Sequence, residues 1–362
     1  MPVTPRPGLD RIHPYIPGQN PTGGGGPGVK LSANESALGP SPKALEAYQG
    51  AADVIERYPD SNAVAVRTAI AGRYGLKAEQ ILMGIGSDEL LGVLVRAYAG
   101  AGDEVLYPSA TFSMYRIYVH SCGADIVQAP DINYTADVDA LLGAMTDSTK
   151  VVIIANPNNP TGTYLSISEI ERLRAGLRDD ILLIIDAAYA EYVTKLDYDP
   201  GVALVEATDN TAMTRTFSKV HGLASIRLGW CYTHPDIVSV IGKIRSPFNV
   251  SSTGQAAGVA AIEDTDHVDK VIAHTAKWQG IATQRLAGMG LDVTGTEGNF
   301  VCVGFPDEGG KRAKDCDAFL RERNIMTRYM AMFGLPNHLR ITIGLDDEME
   351  ICLDTVEAFM RK

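Results

Sequence analysis

Lys150-Val151-Val152-Ile153-Ile154-Ala155, running straight into Asn156-Pro157-Asn158-Asn159-Pro160-Thr161-Gly162, decides the fold class. After Lys150 the first part is continuously apolar rather than alternating, as expected of a parallel strand covered on both faces. The two X-Pro steps push the residue before each proline out of helical geometry, so a rigid loop closes the strand at its carboxyl end. Ligands of open α/β sheets collect at that edge. Asn159 could hold this loop together or turn its amide towards a ligand, and the motif by itself leaves both readings open.

Outward from there, residues 81–83, 104–107, 126–128, 181–185, 211–214 and 228–232 read as further short strands, with amphipathic helices between them. One helix begins near Ser166, where Ser168 and Glu171 stand at capping-box spacing. The pattern predicts an α/β domain over residues 49–264, a mainly parallel sheet with helices on both sides. Beyond 265 the character changes. A long helical stretch over 267–289 precedes strands at 299–304 and 339–343, a helix at 315–323 and a last helix from Asp347. In that last helix Met349, Cys352, Leu353, Val356 and Phe359 recur at helical spacing and mark one buried face. This region is expected to form a smaller α+β domain together with residues 31–48. Residues 1–30 are dense in Pro and Gly, including the glycine run at 23–26, and read as an arm without a regular element of its own.

The 362 residues, 45% hydrophobic and 21% charged, have an ordinary globular composition and exceed what one simple core supports. Lys and Arg number 32 against 44 Asp and Glu, a net charge of −12 without a basic run, so nucleic acid is not an expected partner. The apolar runs are too short to cross a bilayer, so neither is a membrane. Five scattered cysteines lack CxxC spacing. They suggest neither a disulfide framework nor a zinc site, but reduced thiols in a cytoplasmic protein. An acidic protein that binds phosphorylated anions must gather positive charge locally, so single arginines matter.

Three further stretches carry chemistry. Thr216-Phe217-Ser218-Lys219 is followed by Arg227 eight positions after the lysine. Hydroxyls and a bidentate guanidinium suit a phosphate monoester, and a deprotonated lysine amine condenses with an aldehyde. A lone lysine in such a loop is otherwise an ordinary solvated one. Gly84-Ile85-Gly86-Ser87-Asp88-Glu89 joins a strand to a helix, where backbone amides can meet an anion, although glycine also serves such turns for steric reasons alone. Asp186 ends the apolar run 181–185, with Tyr189 three positions later. A carboxylate there needs a partner, whether helix amides, a buried cation or a protonated heterocyclic nitrogen.

In their order and spacing these stretches resemble the fold-type I pyridoxal 5′-phosphate (PLP) aminotransferases over nearly the whole chain. Within that superfamily the chain is most similar to the histidinol-phosphate aminotransferase family. The residues that carry this are His13-Pro14-Tyr15-Ile16-Pro17-Gly18, Leu31-Ser32-Ala33-Asn34-Glu35, Arg57-Tyr58-Pro59-Asp60, Pro247-Phe248-Asn249-Val250 and Leu339-Arg340-Ile341-Thr342-Ile343-Gly344. The resemblance implies that Lys219 is the catalytic residue, holding PLP as a Schiff base and shuttling the proton at the substrate α-carbon. It implies that Asp186 pairs with the ring nitrogen, that Asn159 and Tyr189 bond the ring hydroxyl, and that Phe112 stacks on the ring. Ser87, Asp88, Thr216, Ser218 and Arg227 match the cradle of the cofactor phosphate. Tyr58 matches a tyrosine that reaches this phosphate from a partner subunit, which implies a homodimer with shared active sites.

On the substrate side the resemblance assigns to Arg340 the α-carboxylate of oxo-acids or the phosphate ester of histidinol phosphate, with Arg328 and Tyr15 on that phosphate. Asn34 and Asn249 match further substrate-side positions. The implied reaction passes the amino group of L-histidinol phosphate to 2-oxoglutarate. Transamination of phenylalanine or tyrosine, and decarboxylation of a phosphorylated amino acid, are the alternatives it leaves open. Two positions depart from the family pattern. Ala187 stands where Glu usually follows the ring-nitrogen Asp, and Phe112 where Tyr is usual.

Overall fold

The computed structural model describes residues 3–6, 8–22, 28–307 and 309–362; the glycine run at 23–26 lies outside the described residues. All seven strands expected over 81–232 form one sheet. They are β1 (Ile81–Gly84), β2 (Glu104–Pro108), β3 (Asp125–Ala129), β4 (Thr149–Ala155), β5 (Leu182–Asp186), β6 (Thr211–Thr216) and β7 (Gly229–Thr233). Their order across the sheet is β1-β7-β6-β5-β4-β2-β3. Only β7 runs antiparallel to its neighbours. Every residue of β5 and β6 is buried. Ile153 and Ile184 pack into a cluster with Leu90, Leu94 and Tyr115 on one face, while Ile154 and Ile185 join Leu141, Ile170 and Leu173 on the other. Burial on both faces is why these strands show no polar alternation.

The helix Ile167–Gly176 is capped by Ser166, whose Oγ accepts from the Glu169 amide at 3.4 Å. The expected Ser168–Glu171 pair therefore gives way to the same spacing two residues earlier, and the Ser168 hydroxyl instead lies 2.9 Å from Ser166 Oγ. Register explains much of the site. Ala155 pairs with Asp186, and Asp186 with Thr214, so the loops after β4, β5 and β6 open side by side at one edge.

A second, antiparallel sheet holds β8 (Asp292–Val293), β9 (Phe300–Gly304), β10 (Arg328–Tyr329) and β11 (His338–Thr342) in the order β8-β9-β11-β10. Val301, Val303, Leu339 and Ile341 face a core with Trp278, Leu320, Met349 and Val356, drawn from three covering helices. By strand alternation Phe300, Arg340 and Thr342 turn the other way, towards the open edge of the first sheet.

Two expectations change. The last residues of the arm are not irregular, since Val29–Lys30 pairs in parallel with Ile325–Met326, and Val29 and Leu31 fill the second core. Residues 31–48 do not stay together either. Leu31 belongs to the second core, whereas the helix Pro42–Gly50 places Ala44 in the core of the first sheet. The chain therefore crosses between the cores near 41 and again near 264. The two crossings are bonded to each other, Ser41 Oγ donating to Asp264 Oδ2 at 2.5 Å and Lys43 Nζ to Oδ1 at 3.1 Å.

Candidate active site

A cavity of about 480 Å³ lies between the two sheets, at the carboxyl ends of the parallel strands. Its wall includes Lys219, Asp186, Asn159, Tyr189 and Phe112 from the loops of the first sheet, and Arg340 from the second. Tyr15 and Asn34 line it from the amino-terminal segment.

At one end Ser87, Asp88, Thr216, Ser218 and Arg227 converge. Gly86 and Gly229 make this possible. Gly86 has φ +88°, and a Cβ there would sit 2.6 Å from Arg227 Nη2; one on Gly229 would meet the Ser87 amide nitrogen at 2.3 Å. Without side chains at these positions, the guanidinium and the first turn of the helix Ser87–Tyr98 approach the same point. Arg227 itself has φ +57°, uncommon for a residue with a Cβ, and donates to Ala224 O at 2.9 Å and Ser218 Oγ at 3.4 Å. No carboxylate pairs with it among the described residues. Amide donors, hydroxyls and an unpaired guanidinium at a helix N-terminus form an anion cradle.

In the middle, Asp186 is 6% exposed at the end of β5. The Tyr115 hydroxyl donates to its Oδ2 at 2.9 Å and the Thr214 hydroxyl to its Oδ1 at 3.4 Å. No cation lies within ion-pair distance among the described residues. Burial pushes the carboxyl up to about 6, with nearby Asp88 adding to the rise, while the two hydroxyls hold it back. Lys219 follows β6, its Nζ donating to Asn34 O at 3.1 Å and lying 5.5 Å from the centre of the Tyr189 ring. The Tyr189 hydroxyl accepts from Asn34 Nδ2 at 2.8 Å. Asn34 is in turn tied to Thr342, whose hydroxyl donates to Asn34 Oδ1 at 3.1 Å. In this structure the Asn34 side chain joins the two sheets, with both polar atoms engaged.

The two prolines of 156–162 follow cis peptide bonds. Asn158 holds this loop, donating to Ala110 O at 2.7 Å and accepting from the Thr111 hydroxyl at 2.9 Å. Asn159 lines the cavity and accepts from Arg340 Nη1 at 2.5 Å.

At the far end Arg340 lines the cavity, and Arg328, which is not in the wall itself, stands directly opposite it on the neighbouring β10. They are 5% and 8% exposed. Arg340 Nη2 donates to Ser32 O at 3.1 Å, while its Nε has no partner. Arg328 Nη2 donates to Ile16 O at 2.5 Å, and its guanidinium lies 5.8 Å from the Tyr15 ring centre. Neither forms an ion pair among the described residues. Burial lowers the proton affinity of Arg340, as it must for a cation kept from water without a counter-ion.

A family model described as "Aminotransferase class I and II" matches residues 27–356. The chain belongs to the class I and II aminotransferase family. It is 49% identical over 356 residues to a histidinol-phosphate aminotransferase of Paramagnetospirillum magneticum, covering 98% of each chain. It is 45% identical over 361 residues to one of Maricaulis maris, covering both chains fully. Among solved structures, the histidinol-phosphate aminotransferase of Sinorhizobium meliloti in complex with pyridoxal-5′-phosphate superposes with a TM-score of 0.84 at 29% identity, over 91% of this chain and 90% of that one.

This aminotransferase is a PLP enzyme, and its residues fit that cofactor. An anion cradle, a buried carboxylate lacking a cation and an amine line one cavity, as a phosphorylated pyridine aldehyde requires. Tyr58 does not enter the cavity of its own chain. It is 83% exposed and stacks on Phe248 with ring centres 4.8 Å apart. Asn249 is also absent from the wall, its amide bonded to Glu89 and its Oδ1 to Arg245. Tyr115 and Thr214 serve the site without any motif to announce them, while Thr342 lies in the stretch 339–344 but the resemblance gives it no role there.

Proposed function

We propose that this aminotransferase passes the amino group of L-histidinol phosphate to 2-oxoglutarate, yielding imidazole acetol phosphate and glutamate. The observation that carries the substrate is the buried pair Arg328 and Arg340, opposite each other on neighbouring strands with no acidic partner among the described residues. A phosphate dianion satisfies both, and the carboxylates of 2-oxoglutarate can follow in the second half-reaction. The high identity to proteins named for that substrate supports the same reading.

PLP, when bound, withdraws electrons from the substrate α-carbon so that its C–H bond can break. The chain's own residues do the rest. Ser87, Asp88, Thr216, Ser218 and Arg227 hold the cofactor phosphate. Asp186 supplies the negative charge for the ring nitrogen, Asn159 and Tyr189 face the ring hydroxyl, and Phe112 covers the ring. Lys219 Nζ would anchor the cofactor and, once released, carry the proton from the substrate α-carbon to the cofactor. Arg340, Arg328 and Tyr15 grip the substrate anion, and Asn34 fixes the wall behind it.

The protein acts as a cytoplasmic homodimer, in which the exposed Tyr58 reaches the cradle of the partner. Its larger domain carries the first sheet, and its smaller domain carries the second sheet with residues 29–35. Single-turnover spectra with a panel of donors test the substrate. Conversion of the cofactor to its amino form should be rapid with histidinol phosphate and slow with phenylalanine. The reverse preference overturns the assignment, and release of carbon dioxide would make the enzyme a lyase.

A further inference from the structure

Asp186 is the only charged group in the middle of the cavity that two hydroxyls rather than a cation hold in place among the described residues. The stronger of these contacts comes from Tyr115, whose side chain is fully buried and donates to Asp186 Oδ2 at 2.9 Å. Tyr115 opens the helix Tyr115–Cys122, and its amide donates to Phe112 O at 3.2 Å. The Phe112 and Tyr115 rings meet edge to face, 5.6 Å apart at 87°. One turn of chain thus carries both the aromatic side chain in the cavity wall and the hydroxyl that fixes the carboxylate. Three residues on, one helical turn further, the Tyr118 hydroxyl donates to Asp88 Oδ1. The same helix therefore holds both carboxylates of the cofactor end, the buried one and the one beside the phosphate cradle.

We propose that Tyr115 is a positioning residue, whose hydroxyl fixes the orientation of the Asp186 carboxylate for the ring nitrogen of the bound cofactor. It acts through Asp186 and touches neither cofactor nor substrate. A hydrogen bond to an ionised group favours that form, and here Tyr115 opposes the burial that raises the carboxyl. The titratable groups around Asp186 are Tyr115 and Tyr118 on one helix, Asp88 on the next, and Tyr198 from the segment after β5. Of these, Tyr115 alone donates to it.

The inference rests on the cofactor placement proposed above, and a mutant cycle on Tyr115→Phe and Asp186→Asn separates the two. Tyr115→Phe keeps the ring contacts and removes only the hydroxyl. Its affinity for PLP, measured by fluorescence titration of the cofactor-free protein, should fall about tenfold, the loss of one hydrogen bond to a charged group. The acid limb of its pH–kcat/KM profile should move up by about one unit, because Asp186 protonates more readily. In the Asp186→Asn background, Tyr115→Phe should change PLP affinity less than twofold. A tenfold loss in both backgrounds, or an unmoved acid limb, would show that the hydroxyl acts elsewhere and overturn the inference. Unchanged PLP affinity in Asp186→Asn alone would instead overturn the cofactor placement. Thermal melts of all four proteins identify a variant that fails to fold. Should Tyr115→Phe do so, the double variant, freed of the unpaired carboxylate, must recover its melting temperature; if it does not, the coupling is absent and the inference fails.

Discussion

The middle of the cavity and its far wall are opposite in charge and alike in what they lack. Asp186 is a buried anion at the edge of the first sheet, surrounded by hydroxyls. Arg340 and Arg328 are buried cations on the second sheet, surrounded by carbonyl oxygens and aromatic rings. Neither neutralises itself, and they do not pair with each other. A buried charge without a partner destabilises the fold, so retention of Asp186 and Arg340 in the wall of one cavity marks where ligands of opposite charge belong. The ends also differ in rigidity of construction. The cofactor end is built from backbone amides, two open glycine positions and hydroxyls, while the substrate end rests on two long side chains. The first suits an anion that stays, the second an anion exchanged each half-cycle.

Four tests can break or sharpen this contrast. The largest effect belongs to Lys219→Ala, which should lower kcat by at least about 10⁴-fold by removing anchor and base together. Circular dichroism should show the fold intact, since the lysine ammonium has a single bond, to Asn34 O. Substantial turnover would remove the chemical meaning of the cofactor end.

Next comes Arg340→Ala. Stranding a substrate anion in a buried site costs about 2–5 kcal/mol, or roughly 30- to 4000-fold in kcat/KM for 2-oxoglutarate. Arg340→Lys should recover little of it, because a point charge cannot replace the planar fork. An unchanged rate with 2-oxoglutarate would place the carboxylate elsewhere.

Arg328→Met should act in two directions. The phosphorylated donor should lose more, about tenfold, than 2-oxoglutarate does, and the ligand-free protein should melt at a higher temperature. Removing one of two like charges directly across a ladder relieves up to about 1 kcal/mol. A lower melting temperature would mean that the pair does not wait for an anion.

The smallest effect is a pH dependence of stability in the cofactor-free protein. Burial raises Asp186 from 3.8 to about 6, so the folded state holds that proton more tightly than the unfolded chain does. Its contribution is complete below about pH 4 and is lost as the pH rises through about 6. His221 behaves in reverse. Burial lowers it from 6.5 to about 4, with Glu191 opposing that fall and Arg215 and His267 deepening it, so stability is lost as the pH falls through that window. The two slopes oppose each other. Asp186→Asn removes one, and its stability relative to the parent should rise between pH 4 and 6 by on the order of 2–3 kcal/mol. Denaturant melts at both pH values measure this, and parallel curves would mean that Asp186 is not the uncompensated anion.

Much of this was legible before any coordinates. The seven strands were marked to within two residues, and apolar runs without alternation marked the central ones, β4 and β5, because double-sided burial leaves that trace in composition. Lys219, Asp186 and Asn159 stood out as polar residues following such strands, but their roles, like that of Arg227, came from the family resemblance rather than from position. Tyr115 and Thr214 did not stand out. A tyrosine in Ser113-Met114-Tyr115 reads as core, and its bond to a residue 71 positions away is set by the sheet, not by spacing. The burial of Arg328 was equally hidden, since its local sequence does not show that Ile16 O and the Tyr15 and Phe333 rings gather around its guanidinium. The fate of 31–48 was missed because the segment has no composition of its own; its halves are claimed by different cores.

That divided segment has a mechanical consequence. The backbone passes between the cores at two places, and Ser41 pins itself to Asp264 where those places meet. That contact is one of several between the two halves, since Asn34 Nδ2 donates to the Tyr189 hydroxyl, Arg340 Nη1 to Asn159 Oδ1 and the Glu297 amide to Gly162 O. Any widening of the gap between Asp186 and Arg340 must then strain the Asn34 and Asn159 bonds as well as turn about Ser41–Asp264, so the distance between the two charges is held by the wall of the cavity itself.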